Sequence, residues 1–250
     1  MILLIDGDLI AHQVASAVEE PIDWGDDWWS LTADFRLAWG TLVGEVDRYM
    51  ERLGSEAVIF AFSDRGNNFR KSVLPTYKSN RRGKRKPVVY NPLLKKIGEE
   101  YKTVIYSALE ADDVLGLLSG GNRIIVSDDK DLRTIPGSLY RPSTDKVEHI
   151  SEEDADRNHL IQTLTGDSVD GYKGCPGVGP VRAERILVDG TWEEVVGAYE
   201  KVGLTEEDAL VQARVARILR EGEYEEGKVI LWTPEEETAE PPSEARNASI

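Results

Sequence analysis

Short apolar runs alternate with longer amphipathic segments along the first half of the chain. The runs typical of buried strands lie at 2–5, 57–62, 102–106 and 123–127. Apolar residues recurring at helical spacing predict helices at 9–18, 31–53, 92–100 and 110–119. Strands that alternate with helices in this order indicate a mostly parallel α/β sheet flanked by helices. The region between two of these elements, 65–90, has Gly, Asn and Pro breaks and predicts a short helix and a loop.

Beyond residue 150 the pattern becomes helical. Ser151 and Asp154 form a possible capping box, and the helices that we expect lie at 151–164, 180–188, 191–201 and 205–221, followed by a last strand at 228–232. From 234 the chain is rich in Pro and Glu, so we expect a disordered tail. Four tryptophans are most simply explained as core or packing residues: Trp24, Trp28, Trp29 and Trp39.

Acidic residues follow the apolar runs again and again. Those at the ends of predicted strands or the starts of predicted helices are Asp6, Asp8, Asp64, Glu110, Asp112, Asp113, Asp128, Asp129 and Asp131, and Asp167 and Asp170 come after them in the chain. The carboxyl ends of parallel strands meet at one edge, which would gather these acids. Two like charges about 4 Å apart repel by roughly 4 kcal/mol at an effective dielectric of ~20. The pattern therefore predicts a site for a hard cation, Mg²⁺ or Mn²⁺, although an Asp after a strand is also a common helix cap.

The formal charge of −16 at first argues against nucleic acid as a partner. However, residues 65–96, which we call the basic gateway, contain eleven Lys or Arg and no Asp or Glu. This asymmetry indicates a surface that binds polyanions, and Phe69, Tyr77 and Tyr90 within it could stack on bases. One cysteine excludes an internal disulfide and a cysteine-based zinc cluster and fits a reducing compartment. No apolar run is long enough to span a membrane.

A glycine-rich turn directly follows the last acidic cluster. It runs from Gly171 to Pro180 and includes Gly177-Val178-Gly179 before a predicted helix with Arg182. Such turns present backbone N–H groups at a helix start and suit a phosphate, although a purely structural turn is the simpler explanation.

Together these segments resemble the 5′-nuclease superfamily of flap endonucleases and 5′→3′ exonucleases, most closely the stand-alone T7-like phage enzymes. The matching segments, in family order, are Asp6-Gly7, Phe62-Ser63-Asp64, Phe69-Arg70, Leu74 to Arg81, Glu110 to Asp113, Ser127 to Leu132, Gly166 to Asp170 and Gly177 to Gly179. The resemblance implies a PIN-like sheet with a helix–two-turn–helix subdomain. It implies a catalytic region at 1–162 that contains the gateway, a duplex-binding region at 163–233, and a tail at 234–250.

The resemblance also implies roles for single residues. The acids around a first metal are Asp6, Asp64, Glu110 and Asp112, and those that complete a second are Asp129, Asp131, Asp167 and Asp170. Asp113 would support the helix start or the ligand shell, whereas Asp8 and Asp128 are neighbours rather than ligands. Arg70 and Lys78 would contact the scissile phosphate. The wider DNA-binding set is Arg70, Lys71, Tyr77, Lys78, Arg81, Arg82, Lys84, Arg85, Lys86, Gly177, Val178, Gly179 and Arg182, and turn carbonyls would hold a K⁺ ion.

The implied function is a Mg²⁺-dependent 5′→3′ exonuclease that acts by a two-metal mechanism on duplex DNA with a 5′ end, nick or gap, and also on the RNA of hybrids. Only 31 residues lie between Lys78 and Glu110, which favours entry from an end over the threading of a flap, although a flap endonuclease stays the alternative. Weaker alternatives are a PIN-class ribonuclease, an Asp-nucleophile phosphatase and a non-catalytic DNA-binding protein. We expect a monomer without membrane contact, in the cytoplasm of a host cell.

Overall fold

The structure is a computed structural model that describes residues 1–81 and 83–234. Arg82 and the predicted tail beyond Pro234 lie outside the described residues. The strands are β1 (Ile2–Asp6), β2 (Glu19–Asp23), β3 (Trp29–Ala33), β4 (Ala57–Ala61), β5 (Lys102–Val104), β6 (Arg123–Val126), β7 (Gly137–Arg141), β8 (Lys146–Ile150), β9 (Tyr224–Glu225) and β10 (Lys228–Val229). The helices are α1 (Gly7–Ala17), α2 (Phe35–Leu53), α3 (Arg70–Val73), α4 (Tyr90–Glu100), α5 (Ala111–Leu118), α6 (Glu152–Thr165), α7 (Pro180–Ile186), α8 (Trp192–Glu200) and α9 (Glu206–Ala216).

Six strands form the central sheet in the order β5-β4-β1-β6-β7-β8. All neighbours pair in parallel except β7 and β8, which form an antiparallel hairpin. The mostly parallel α/β sheet predicted from the sequence is confirmed. The β7–β8 hairpin was not predicted, and it extends the sheet by one antiparallel edge strand.

Alternate residues of β1 explain why both faces of the sheet are covered. Leu3 and Ile5 pack into a core with α1, α2 and α4, whereas Leu4 packs on the opposite face against α5 and residues near Leu219. These side chains are almost completely buried. A strand buried on both faces reads as a continuous apolar run, which is the pattern of 2–5. The sheet is therefore an inner layer with an apolar core on each face.

The helical region α6–α9 has a separate small core, which includes Leu164, Val178 and Tyr199. The expected boundary at 162/163 falls inside α6, which runs unbroken from Glu152 to Thr165, and the division into two regions stays a prediction. The predicted helix 205–221 ends earlier, at Ala216, and the predicted strand 228–232 is only the two-residue β10. The predicted strand 102–106 likewise ends at Val104.

The main correction concerns residues 19–34. The helix predicted from 31 begins only at Phe35, because the preceding segment forms the β2–β3 hairpin, with Asp34 as the N-cap of α2. Trp39 packs against the core as predicted. Trp24, Trp28 and Trp29 do not, because they stand on this hairpin and are 67%, 75% and 62% exposed. The interpretation of these three as core residues is wrong.

Among the described residues, no helix combines the length and the apolar content needed to cross a membrane.

Candidate active site

Three neighbouring strands deliver acids to the same edge of the sheet. β1 ends at Asp6, β4 runs toward Asp64, and β6 runs toward Asp129. Asp6 also caps α1, since its carboxylate accepts the Leu9 N–H at 2.9 Å. Gly7 is required directly beside it, because a Cβ there would lie 2.4 Å from the ring of Phe62.

Asp6 and Asp112 lie near the centre of the gathered acids. Burial, reinforced by the charges of Asp8 and Asp129, raises the pKa of Asp6 to about 7. Burial also raises the pKa of Asp112 well above its ordinary value, and repulsion from Asp6 and Asp129 adds to the effect. These shifts follow from like charges that share a desolvated site. A cation placed among these carboxylates would remove the repulsion.

Asp131 extends the cluster toward the helical region. Burial and then the charge of Asp129 raise the pKa of Asp131 to about 6, and Asp167 and Asp170 contribute to the same shift. Gln162 on α6 donates to the Asp131 carboxylate at 3.0 Å. Nothing in the local sequence around Gln162 marks it for this contact, because only the packing of α6 brings it there.

Glu110 differs from these acids because bases surround it. The Lys78 ammonium donates to Glu110 at 2.5 Å and lies 3.4 Å from Asp170. The Tyr77 hydroxyl donates to Glu110 at 2.7 Å and to Asp170 at 3.2 Å. Burial opposes ionisation of Glu110, but the charges of Lys78 and Arg70 outweigh it and lower its pKa to about 2. Glu110 is thus held as a carboxylate.

Asp64 stands apart from the other acids. Its carboxylate accepts the N–H groups of Gly66 and Ala108, each at 2.8 Å, and these donors lower its pKa. Asp64 lines a cavity of about 210 Å³ with Glu110 and Lys78, so it faces the site across this space.

The three acids that we did not predict as metal ligands have structural partners. Asp8 accepts the Ser63 N–H and the Tyr90 hydroxyl, each at 2.9 Å. Asp128 accepts the N–H and the hydroxyl of Ser143. Asp113 caps α5 and pairs with Arg70, as the expected support for the helix start requires. These contacts explain why such acids need not bind a metal.

The donor set fits a hard divalent cation in its chemistry, since the predicted ligands offer only carboxylate oxygens. Their arrangement is not yet a closed chelate: within residues 1–81 and 83–234, no three or more His, Cys, Asp or Glu side chains form a compact metal-binding group. The bases explain part of this arrangement, because Lys78 and Arg81 hold Glu110 and Asp170. The assignment of eight acids to two metals stays a prediction.

Two predicted DNA contacts are instead buried. Arg70 is 3% exposed and Tyr77 is also 3% exposed. The Arg70 guanidinium donates to both Asp113 oxygens at 2.6 and 2.7 Å and to the carbonyls of Val215 and Arg217. The polar groups of Arg70 and Tyr77 have internal partners in this structure, and their contact with DNA stays a prediction.

Two exposed bases of the gateway form ion pairs with acids from other parts of the chain. Arg81 pairs with Asp170, and Arg85 pairs with Glu19 of the β2–β3 hairpin at 2.6 Å. Lys71, Lys84 and Lys86 are exposed. Between α3 and α4, the described residues 79–81 and 83–89 form a single 3₁₀ turn and irregular chain, so the predicted loop-like gateway is confirmed there.

The glycine-rich turn lies between α6 and α7. Gly177 and Gly179 are exposed, whereas the side chain of Val178 is buried in the helical core. The contact of this turn with DNA stays a prediction. Gly179 caps α7, and Arg182 donates to the Gly177 carbonyl at 3.1 Å. A K⁺ ion at this carbonyl would have to compete with that guanidinium.

Comparison with known proteins supplies the class. A family model described as "5′-3′ exonuclease, N-terminal resolvase-like domain" matches residues 1–159, which is more than half of the chain. The chain therefore belongs to the 5′-3′ exonuclease family, and the prediction of a nuclease of this class is confirmed.

Two phage proteins are similar over nearly the whole length. The exodeoxyribonuclease of Enterobacteria phage T3 and the exonuclease of Escherichia phage T7 are each 30% identical to this chain over 93% of both sequences. The predicted likeness to T7-like phage enzymes is thereby confirmed.

Solved structures show the same fold. The T5 5′-exonuclease with divalent zinc ions has a TM-score of 0.66 at 16% identity and covers 86% of this chain and 88% of its own. A bacteriophage T5 flap endonuclease in a pseudo-enzyme-product complex with DNA and metal ions has a TM-score of 0.64 at 14% identity, with the same coverage.

Proposed function

We propose that this protein is a Mg²⁺-dependent 5′→3′ exonuclease that shortens duplex DNA from a 5′ end, nick or gap. The observation that carries the proposal is the gathering of Asp6, Asp112 and Asp131 around Asp129, because burial and the charge of Asp129 raise the pKa of all three. The exposed bases of the gateway stand next to this cluster. Acids that hold cations beside bases that hold phosphates are what phosphodiester hydrolysis requires.

The residues that would hold the divalent cations are those of the predicted set, with Asp6, Asp112, Asp129 and Asp131 as the central group. When bound, such ions would stabilise the charge that develops at the reacting phosphate and lower the pKa of the attacking water. Mn²⁺ would serve in place of Mg²⁺, because both prefer oxygen ligands.

Lys78 and Arg81 would guide the scissile phosphate. Their positive groups now lie on Glu110 and Asp170 at the rim of the cavity. A phosphate that arrives there offers the same bases a competing anion, so they can turn to the substrate without crossing the site. This exchange would draw the 5′ end toward the carboxylates, and high salt would weaken it.

The helical region would hold the duplex behind the cleavage point. Gly177 and Gly179 expose backbone at the start of α7, and Arg182 adds a charge there. We propose the K⁺ site at this turn as well, with Arg182 displaced from the Gly177 carbonyl when the ion and the duplex bind.

A flap endonuclease is the second candidate, and one of the T5 structures carries that name. The short irregular gateway favours end-directed cleavage instead, since residues 79–81 and 83–89 form no helical arch. We further propose activity on the RNA of hybrids and, from the single cysteine, action in the reducing interior of a host cell.

The test is cleavage of 5′-labelled duplex, nicked, flap, hybrid and single-stranded RNA substrates in Mg²⁺ and in EDTA. We expect release from duplex and nicked ends in Mg²⁺ and none in EDTA. Asp131→Asn should abolish cleavage and largely retain DNA binding, with Asp128→Asn as the matched control that stays active. Activity that survives EDTA, or on single-stranded RNA alone, would refute the proposal.

A further inference from the structure

The β2–β3 hairpin carries an apolar surface that nothing in the proposed reaction uses. Trp24, Trp28 and Trp29 at its tip are exposed, and Leu31 beside them is 42% exposed. Side chains of this size are rarely left in water as a contiguous patch unless something covers them. The tip is also ordered by its own contacts, since the Trp24 indole donates to Ser30 at 2.8 Å.

The charge of this segment restricts what can cover it. Residues 19–34, which we call the acidic hairpin, contain six Asp or Glu and no Lys or Arg. Two of the acids, Asp26 and Asp27, lie in the turn itself with positive φ. A nucleic-acid backbone would be repelled here, so a cationic partner fits better than a DNA strand.

The basic gateway of the same sequence has the complementary chemistry. It has eleven bases and no acid, and the exposed ones among its described residues include Arg81, Lys84, Arg85 and Lys86. Guanidinium and ammonium groups bind the face of tryptophan more strongly than that of other aromatic rings. The acidic hairpin and the basic gateway are therefore complementary in charge, and the bases can also form cation–π contacts with the tryptophans.

Among the described residues, no Lys or Arg lies over the rings of Trp24, Trp28 or Trp29. The root of the hairpin is fixed to the gateway, because Glu19 accepts from Arg85 at 2.6 and 2.7 Å and from the Val88 N–H at 2.6 Å. From there five paired residues run to the turn. At about 3.3 Å per residue, the tip stands roughly 13–17 Å from Glu19. Because a paired ladder does not fold back on its root, we look for the partner of the tip on the gateway of another molecule.

We propose that the tip of the acidic hairpin docks on the basic gateway of a second copy of this chain. The contact is salt-sensitive and concentration-dependent, so the dilute protein remains the monomer that the sequence predicts. It covers the bases that, by the proposed function, receive DNA. Duplex DNA and the second copy therefore compete for the gateway. At high protein concentration without substrate, association covers the gateway.

The first experiment is sedimentation velocity of the full chain in EDTA without DNA, over a wide concentration range at low and at high salt. We expect the sedimentation coefficient to rise with protein concentration at low salt and to stay constant at high salt. Trp28→Ala/Trp29→Ala and Asp26→Asn/Asp27→Asn should each weaken association at least about tenfold by loss of the contacts above. Asn suits the left-handed turn, so the second variant keeps the hairpin.

Two variants serve as matched controls. Val188→Ala removes an exposed apolar residue elsewhere, and Glu56→Gln removes an exposed acid at the opposite end of the sheet. Both should associate like the unaltered chain, and circular dichroism should report the same fold for all variants.

The second experiment is complementation. The gateway variant Lys84→Glu/Lys86→Glu and the hairpin variant Trp28→Ala/Trp29→Ala should each fail to self-associate, whereas their mixture should form a one-to-one complex from the intact hairpin and the intact gateway. Duplex DNA should dissociate the unaltered copies.

Three outcomes would overturn the inference. They are no association at low salt, association that hairpin and gateway variants leave unchanged, and a loss of DNA affinity in the tryptophan variant without any effect on association. The last would assign the tip to nucleobases. Because association is measured without substrate or metal, it is distinguishable from a failure of the proposed nuclease activity.

Discussion

Two sets of base–acid pairs join the gateway to the acids of the candidate site and their neighbours, and the two sets differ in what surrounds them. Arg70 and Asp113 are buried at 3% and 0% exposure, and the guanidinium is further fixed by carbonyls near the end of α9. Lys78 and Arg81 pair with Glu110 and Asp170 at the rim, where all partners keep some contact with water. The chemistry is the same, but only the second set is in contact with water.

The difference separates support from function. A buried charge that loses its partner is left without water to replace it, so Arg70 is held in one place by a large energetic penalty. The rim pairs keep contact with water, and by the proposed function Lys78 and Arg81 exchange their carboxylate partners for a phosphate. The predictions below test this division.

Breaking the buried pair should have the largest effect. Arg70→Ala leaves Asp113 as an unpaired buried charge, and we expect a loss of about 3–5 kcal/mol in the free energy of unfolding. Urea denaturation followed by circular dichroism would measure it. Arg70→Lys keeps the charge and should lose less, and a stability within error of the unaltered chain for Arg70→Ala would remove the supporting role.

Removing the rim ammonium should act on the reaction as well. By the proposed function Lys78 faces the phosphate, so Lys78→Ala should lower the rate of cleavage about 10²-fold. It should cost less stability than Arg70→Ala, because Tyr77 and Arg70 still stabilise the Glu110 carboxylate. Single-turnover cleavage of a 5′-labelled duplex would measure the rate. Lys95→Ala, an exposed base on α4, is the control and should retain full activity. Equal rates for the two variants would place Lys78 outside the reaction.

The pH dependence of stability should separate Asp6 from Glu110 in the metal-free protein. Because the pKa of Asp6 is raised to about 7, the protonated side chain favours the folded state at low pH. This contribution to the free energy of unfolding is lost as pH rises through about 7. Because the pKa of Glu110 is lowered to about 2, its contribution is present above its ordinary pKa and is lost as pH falls toward 2.

Denaturation in EDTA between about pH 5 and pH 8 tests the first of these signs. Asp6→Asn retains an acceptor for the Leu9 N–H and should remove a decline on the order of 2 kcal/mol. If the unaltered chain shows no decline, or the variant shows the same one, Asp6 does not repel its neighbours as described.

Arg81→Ala should have the smallest effect on stability, at most about 1 kcal/mol, because its pair is partly exposed. In DNA binding it should reduce the salt slope by about one phosphate contact. A titration of fluorescent duplex at several salt concentrations would show this, and an unchanged slope would mean that Arg81 stays on Asp170 when DNA binds.

The acids at the strand ends were predictable because strand and acid are neighbours in the sequence. Asp6 follows β1 directly, so a local pattern was sufficient. The division among the bases was not predictable in this way, since Arg70 and Arg81 lie in one basic stretch and only contacts with α5 and the end of α9 bury the first. Gln162 reaches Asp131 through the packing of α6, which no short pattern records.

The two missed hairpins have a different cause. Tryptophan was interpreted by its usual burial, which conceals that Asp26 and Asp27 form a turn between paired strands. In β7–β8, Tyr140 opposes Val147 in a regular ladder, but the short strands lie between stronger signals on either side. The sequence was therefore sufficient to predict the parallel strands, whereas the two hairpins became visible only in the structure.

The buried pair also has a consequence for the order of events during synthesis. Its guanidinium is held by the carbonyls of Val215 and Arg217, and its carboxylate accepts the Leu219 N–H at 3.2 Å. A nascent chain that has reached only residue 214 lacks all three groups. The segment that presents Lys78 and the helix that presents Glu110 thus gain their common support late, and the ribosome carries an incomplete nuclease until these residues emerge.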